Sequence, residues 1–280
     1  MIKYTFASLG KMESIGFRIG GSGLGNILFP WAKALVYSKQ YNLQQIPTTW
    51  KAIKFGTFLR KEKDKRLYYN LFKEKNNIGF FKKFLLLNFS NKVKYFNSMD
   101  SLFDDFKFEH KYVKYKLLNI INPIHLSQIN NFNHKFIGVH IRRGDFLISQ
   151  DESELRNGLW NYRVPMNWYL SLIKQIKQHT NLPIYIFSDA YSEDLLDIIE
   201  LENCKYISTG SAISDMIALS KSQLLLTSGS TFSMWSSFLG QNHTIWFPGQ
   251  MRQSLMLSKN VYEGEVDYNE NISSLILNSL

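Results

Sequence analysis

The chain has a single cysteine, Cys204, in 280 residues. No disulfide can form within it and no cysteine cluster can hold a metal, so a reducing compartment is the simplest fit. No stretch approaches the ~18 consecutive apolar residues of a membrane-spanning helix, and the segment Met1 to Gly10 has too short an apolar core for a signal peptide. These absences lead us to expect a cytoplasmic protein. Acidic residues are missing between Glu13 and Glu62, which removes the ribose ligand that a dinucleotide-binding fold places ~20 residues after its glycine turn. There is no Asp-x-Asp and no Gly-x-Ser-x-Gly, and no two of the six histidines stand at a metal-binding helical spacing. Neither internal repeats nor low-complexity tracts occur.

The hydrophobic share of 45% and charged share of 20% are those of a globular protein long enough for two domains. The net charge of +10 is concentrated. Thirteen basic residues from Lys51 to Lys94, against Glu62, Asp64 and Glu74, equal the whole excess. Such a block reads as a solvated face, or as a contact with nucleic acid or an anionic membrane. Within it, Ile78 to Phe89 is apolar with lysines interspersed. A buried core helix is its first reading and a membrane-interface segment its second.

Along the chain, Ser14 to Gly20 alternates as a first strand and leads into Gly20-Gly-Ser-Gly-Leu-Gly-Asn26. A helix follows, with Leu28, Trp31, Ala32, Leu35 and Val36 on one face and Pro30 assigned to its first turn. The dinucleotide pattern fails because Asn26 occupies its last glycine place, and no Gly-Lys-Ser/Thr of a P-loop is present. The region from Thr48 to Asn133 shows no clean alternation. From Lys135 onward strands and short helices alternate: strands at 136–141, 184–187, 205–208, 223–227 and 244–247, helices from Pro165, at 192–201, 214–221 and 231–239. This implies a parallel sheet covered on both faces, a Rossmann-like domain. With Asn130 to His134 as a linker, the expected domains are residues 1–133 and 134–280. The last segment, Asn271 to Leu280, can pack back on either domain, the first included.

The chemistry gathers at the strand ends of the second half. Phe136-Ile-Gly-Val-His-Ile-Arg-Arg-Gly-Asp145 is a buried strand closing in two arginines, where ligands of open α/β sheets bind. Ser188-Asp189 closes the next strand, and Ser228-Gly-Ser-Thr-Phe-Ser233 opens a helix. A helix N-terminus with hydroxyls and an arginine suits phosphate, and an Asp can accept from the two donors of guanine. Together they describe a site for a guanine nucleotide diphosphate. Taken singly, each has a plainer account as a salt bridge, a turn or a helix cap.

The order and spacing of these segments resemble the GDP-fucose-dependent fucosyltransferases, closest to the bacterial α-1,2-fucosyltransferase family and its α-1,6 and protein O-fucosyltransferase relatives. Gly23-Leu-Gly-Asn26 matches a Gly-Leu-Gly-Asn turn, His140 to Asp145 a His-x-Arg-Arg-x-Asp motif, and Phe187-Ser-Asp189 a Phe-Ser-Asp strand end. Asp215 to Ser220 and Gly229 to Trp235 match a helix followed by Asn-Ser-Thr-Phe-Ser-Trp-Trp. The chain departs in having Gly25-Asn-Ile-Leu-Phe-Pro-Trp31 where the family has Gly-Asn-Gln-Met-Phe-Gln-Tyr, Gly229 for the Asn, and Met234 for the first Trp.

This resemblance implies an α/β protein of GT-B type, with two Rossmann-like domains facing across a cleft. It implies an inverting, metal-independent transfer of L-fucose from GDP-fucose to a galactoside hydroxyl of a bacterial surface glycan such as a lipopolysaccharide O-antigen, in α-1,2 linkage. Arg142 is implied as catalytic, stabilising the GDP leaving group, with His140 and Asp145 in support. Gly25, Asn26, Arg143, Asp189, Ser230, Thr231, Phe232 and Ser233 are implied in donor binding. No cofactor is expected. The expected partners are a GDP-sugar donor and an oligosaccharide acceptor, lipid-linked if the basic 51–95 segment makes a peripheral contact with the inner face of the membrane. A general base remains open, with Asp151, Glu152 and Glu154 as candidates. Another GDP-deoxysugar such as colitose is an alternative donor. A nucleic-acid binder using the basic block is an alternative of another class, and it leaves the His140 to Asp145 motif unexplained.

Overall fold

In the computed structural model, residues 1–20, 22–53, 68, 70–75 and 77–280 are described. Gly21 of the glycine turn and Lys54, Arg60, Lys61, Lys63, Lys65 and Arg66 of the basic block lie outside them. Two compact units are present, Met1–Leu126 and Ser127–Leu280. The division precedes the Asn-rich stretch because that stretch belongs to the second unit. Phe132 packs its ring 5.6 Å from Phe136, and Lys221 Nζ donates to the Ile129 carbonyl at 3.2 Å.

In the first unit, β1 (Tyr4–Ala7) lies between β3 (Gln44–Gln45) and β5 (Val93–Phe96), all parallel, and β2 (Arg18–Ile19) pairs with β4 (Ala52–Ile53). The expected first strand at 14–20 is mostly something else. Glu13–Ile15 forms a 3-10 turn and Gly16, at φ 90°, breaks the run, so only Arg18–Ile19 is extended. The strand that does organise the sheet, Tyr4–Ala7, is a short apolar stretch near the chain start. Helix α1 (Leu24–Gln40) begins earlier than its pattern suggested, which places Pro30 in its interior and not in its first turn. Proline lacks the N–H that would bond the Asn26 carbonyl four residues back. The helix tolerates this because nearly every residue from Leu24 to Val36 is buried. Helix α2 (Phe80–Phe89) is not the core helix expected of 78–89: the one residue it buries is Lys83. Helix α3 (His110–Ile120) completes the unit's long helices, burying Val113 and Leu117.

In the second unit the strands are β6 (Ile137–Ile141), β7 (Ile184–Ser188), β8 (Cys204–Tyr206), β9 (Leu224–Leu226), β10 (His243–Trp246) and β11 (Glu263–Glu265). Helices are α4 (Glu152–Arg156), α5 (Met166–Lys177), α6 (Leu196–Ile199), α7 (Ala212–Leu219), α8 (Thr231–Gly240) and α9 (Ser274–Leu277). The sheet order is β11-β10-β9-β6-β7-β8, every pair parallel. Counted within the unit this is 3-2-1-4-5-6, the doubly wound order of dinucleotide-binding sheets. All five residues of β6 are buried, and Ile137, Val139 and Ile141 pack with Trp168, Leu172 and Ile176 of α5. Each such side chain contributes about 1.5–3 kcal/mol of burial. β11 escapes sequence reading because Glu-Gly-Glu carries no apolar signal. The last helix adds Ile276 to this unit's own core.

Candidate functional site

In the 3-2-1-4-5-6 order the connections leave β6 and β9 in opposite directions, and the crevice at their carboxyl ends is where such sheets bind ligands. β6 and β9 are hydrogen-bonded neighbours, in register from Ile137 with Leu224 to Val139 with Leu226. The two turns that leave them are His140 to Asp145 and Ser228 to Ser233, so the fold brings together the segments singled out in sequence.

Arg142 is the half-buried cation of the first turn. Its Nη2 pairs with Asp145 Oδ1 at 2.5 Å and its Nη1 with Asp189 Oδ2 at 2.6 Å, while 19% of its side-chain surface stays accessible. The ring of Phe146 lies 5.4 Å below the guanidinium. Asp189, placed by β7, uses its other oxygen to accept the Arg143 backbone N–H at 2.8 Å. Gly144 makes this possible, because a Cβ there would come within 2.1 Å of Asp189 Oδ2. Both oxygens of the residue expected to read guanine thus hold the arginine turn.

Arg143 points the other way. It is buried, donating from Nη1 to the Val164 carbonyl at 2.9 Å and from Nη2 to Met166 Sδ at 3.9 Å. Burial lowers its pKa, partly offset by Tyr169, Asp194 and Asp189. It ties the turn to the start of α5.

His140 is buried at the end of β6, its Nδ1 2.7 Å from Ser233 Oγ and 2.8 Å from Ser228 Oγ. Burial, aided by the positive Arg142, pushes its pKa down to about 3. The ring is therefore neutral near pH 7. Its Nδ1 shares hydrogen bonds with both hydroxyls. Phe232 stacks on the imidazole at 4.7 Å and 23°. Ser230 caps α8, its Oγ accepting the Ser233 N–H at 3.2 Å. The Ser230 and Ser233 hydroxyls are thus engaged with the cap and with His140. The groups of this helix start left half-buried are Thr231 and Phe232, whose backbone N–H groups belong to the electropositive first turn.

Sequence reading missed three supports. Tyr169 is buried and its hydroxyl donates to the carbonyls of His140 at 3.3 Å and Thr227 at 3.2 Å, joining the ends of β6 and β9. A tyrosine within the apolar face of α5 was the available signal. Gln250 donates to the Leu155 carbonyl at 2.7 Å, and its Oε1 fills the space a Cβ at Gly229 would need, 2.6 Å away. Gly229, at φ 65°, is the position where the family pattern has Asn; the left-handed backbone suits either, and Gln250 leaves room only for glycine. Arg252 stacks on Trp160 at 4.1 Å, and burial lowers its pKa to about 10.

In the first unit, Gly25 is buried in the opening turn of α1 and Asn26 is half-buried beside it, its N–H donating to the Gly23 carbonyl at 3.1 Å. Of the general-base candidates, Asp151 caps α4, Glu152 accepts from the Tyr268 hydroxyl at 2.7 Å, and Glu154 accepts from Ser149 at 2.8 Å. The Asp151 and Glu154 bonds lie within the loop, and that of Glu152 ties it to the segment after β11. Among the described residues no group of three or more His, Cys, Asp or Glu could hold a metal ion, and no helix is long and apolar enough to cross a membrane.

Comparison with known proteins gives a match of residues 31–261 to the family described as glycosyl transferase family 11. No curated protein matches. Among solved structures, the chain is similar to NodZ alpha-1,6-fucosyltransferase co-crystallised with GDP, with 12% identity, 88% of this chain and 95% of that one covered, and a TM-score of 0.46. It is similar to POFUT1 in complex with GDP, with 12% identity, coverage of 96% and 98%, and a TM-score of 0.46. A fucosyltransferase NodZ from Bradyrhizobium gives 13% identity, coverage of 88% and 95%, and a TM-score of 0.45.

Proposed function

Because the chain belongs to glycosyl transferase family 11 and is a glycosyltransferase, we propose that it transfers L-fucose from GDP-fucose, with inversion, to a galactoside hydroxyl of a bacterial surface glycan in α-1,2 linkage. The observation that carries this reading is Arg142. It is a guanidinium fixed by two carboxylates at the switch point of a doubly wound sheet, next to the open first turn of α8.

In the transfer, the acceptor oxygen bonds to the anomeric carbon as the bond from that carbon to the β-phosphate oxygen breaks, and the acceptor's proton passes to a base or water. Negative charge grows on the departing GDP. A positioned arginine stabilises that charge without reorganising, the kind of electrostatic assistance that accounts for large shares of enzymatic rate. The N–H groups of Thr231 and Phe232 hold phosphate oxygens. Asp189 and Asp145 act as positioning residues for Arg142, and His140 and Ser233 fix the helix start against β6. Gly25 and Asn26 are donor-binding residues in this reading. The proposed transfer is metal-independent.

The test is product formation. Incubating the protein with GDP-fucose and a β-galactoside in EDTA is expected to release GDP and yield a fucosylated product with the sugar on the 2-hydroxyl. Turnover of UDP- or ADP-sugars in preference to GDP-fucose would refute the reading.

A further inference from the structure

Helix α2 is built inside out. Phe81, Leu85 and Phe89, spaced one turn apart on one face, are 72%, 42% and 76% exposed, with Lys82 and Asn88 beside them. The opposite face carries Lys83, which is buried and donates to the Pro47 carbonyl at 2.6 Å and to Thr49 Oγ1 at 2.8 Å. Leu86 and Leu87 pack there against the small core of Phe6, Ile46, Ile78 and Val93. Burial lowers the Lys83 pKa, opposed by the nearby Glu13 and Glu74. The helix is therefore held inward by a lysine and two leucines and turns its aromatic residues to solvent, opposite to what burial energetics dictate for a free-standing domain.

The chain segment that carries this stripe has charge of one sign. No Asp or Glu occurs between Glu74 and Asp100, a span that holds Lys75, Lys82, Lys83, Lys92 and Lys94. Lys82, Lys92 and Lys94 are exposed, as is Tyr95 on the adjoining β5. Phenylalanine and leucine on one face of a helix with lysines at its margins are the composition of a segment lying in the headgroup region of a bilayer with anionic lipids, where apolar burial and attraction of basic residues add.

We propose that α2 seats the protein on an anionic membrane surface, with Phe81, Leu85 and Phe89 entering the headgroup–acyl boundary and Lys82 and Lys92 facing the lipid charge. This deepens the acceptor side of the function proposed above, since it fits a glycan acceptor carried on a membrane lipid. Vesicle binding and GDP binding are separate measurements, so either can fail alone.

Co-sedimentation with vesicles tests it. The full chain is expected to pellet with phosphatidylglycerol/phosphatidylcholine vesicles, to remain in the supernatant with phosphatidylcholine alone, and to be released as salt is raised. Phe81→Ser and Phe89→Ser are expected to weaken partitioning about tenfold each, while Tm and any GDP-induced shift stay at wild-type values, because both side chains are exposed. Lys82→Glu with Lys92→Glu is expected to remove the preference for the anionic lipid. The proposal is overturned if the wild type stays in solution with anionic vesicles or if the Phe variants pellet equally. It is also overturned if light scattering shows a concentration-dependent dimer that Phe81→Ser abolishes, for then a second copy covers the stripe.

Discussion

Arg142, Asp189 and His140 owe their states to the chemistry of their neighbours. Two carboxylates hold the Arg142 guanidinium in one orientation, a geometry that the flexible point charge of lysine does not reproduce. Arg142→Lys is expected to lower kcat by about 10²–10³-fold, with Tm within a few degrees of wild type, as followed by GDP release and thermal melts. Asp189 bonds the arginine turn through both of its oxygens, which suits a positioning residue. Asp189→Asn is then expected to lower kcat while leaving the preference for GDP over ADP intact. Loss of that preference in calorimetry would restore the guanine-reading role. His140, with its pKa pushed down to about 3 from an ordinary 6.5, is neutral in the folded protein and takes up a proton more readily when unfolded. Between these values the unfolded state binds more protons, so its contribution to stability is fully present above about pH 6.5 and is lost as pH falls toward 3. Urea unfolding at pH 7.5 and pH 5 is expected to show a drop on acidification that is smaller in His140→Asn.

At the scale of elements, the start of α8 and the segment after β10 set the shape of the site. Ser230 supplies the cap of α8, and Ser230→Ala is expected to cost about 1 kcal/mol in denaturant unfolding. Gly249 is under a stricter demand. It sits at φ 78°, and a Cβ there would come within 2.3 Å of the Arg156 carbonyl and 2.4 Å of that of Leu155. Both are backbone atoms, so nothing can swing aside. Gly249→Ala is expected to destabilise by about 3 kcal/mol and to displace Gln250 from Gly229. Element type was readable where apolar periodicity was strong, as in β6, β7 and α5. It failed where a residue's environment reversed its usual placement. Lys83 inside and Phe81 outside exchange their expected places on α2, and no pattern of apolarity alone reveals that. The Ile15, Phe17, Ile19 alternation suggested a strand that Gly16 interrupts with a positive φ.

For the molecule as a whole, the second unit's doubly wound sheet was legible because each strand is a short apolar run followed by a polar turn, and because parallel order places those turns at one end. The site residues were legible as types and positions but not as roles. Arg143 looks in sequence like the twin of Arg142, yet one is buried under Val164 and Met166 and the other faces outward. Ser233, read in sequence as a phosphate ligand, bonds a buried neutral histidine. Side-chain direction at a turn depends on contacts from distant segments, here Asp189, Tyr169 and Gln250, which local sequence does not contain. The central claim is that the second unit binds a guanine diphosphate through Arg142. Isothermal titration of GDP, UDP and ADP in EDTA into the wild type and Arg142→Ala tests it most directly. The account predicts that GDP binds the wild type more tightly than either competitor and loses at least tenfold in affinity in the variant. Equal affinity for GDP in the two proteins, or no preference for GDP over UDP and ADP in the wild type, would contradict it.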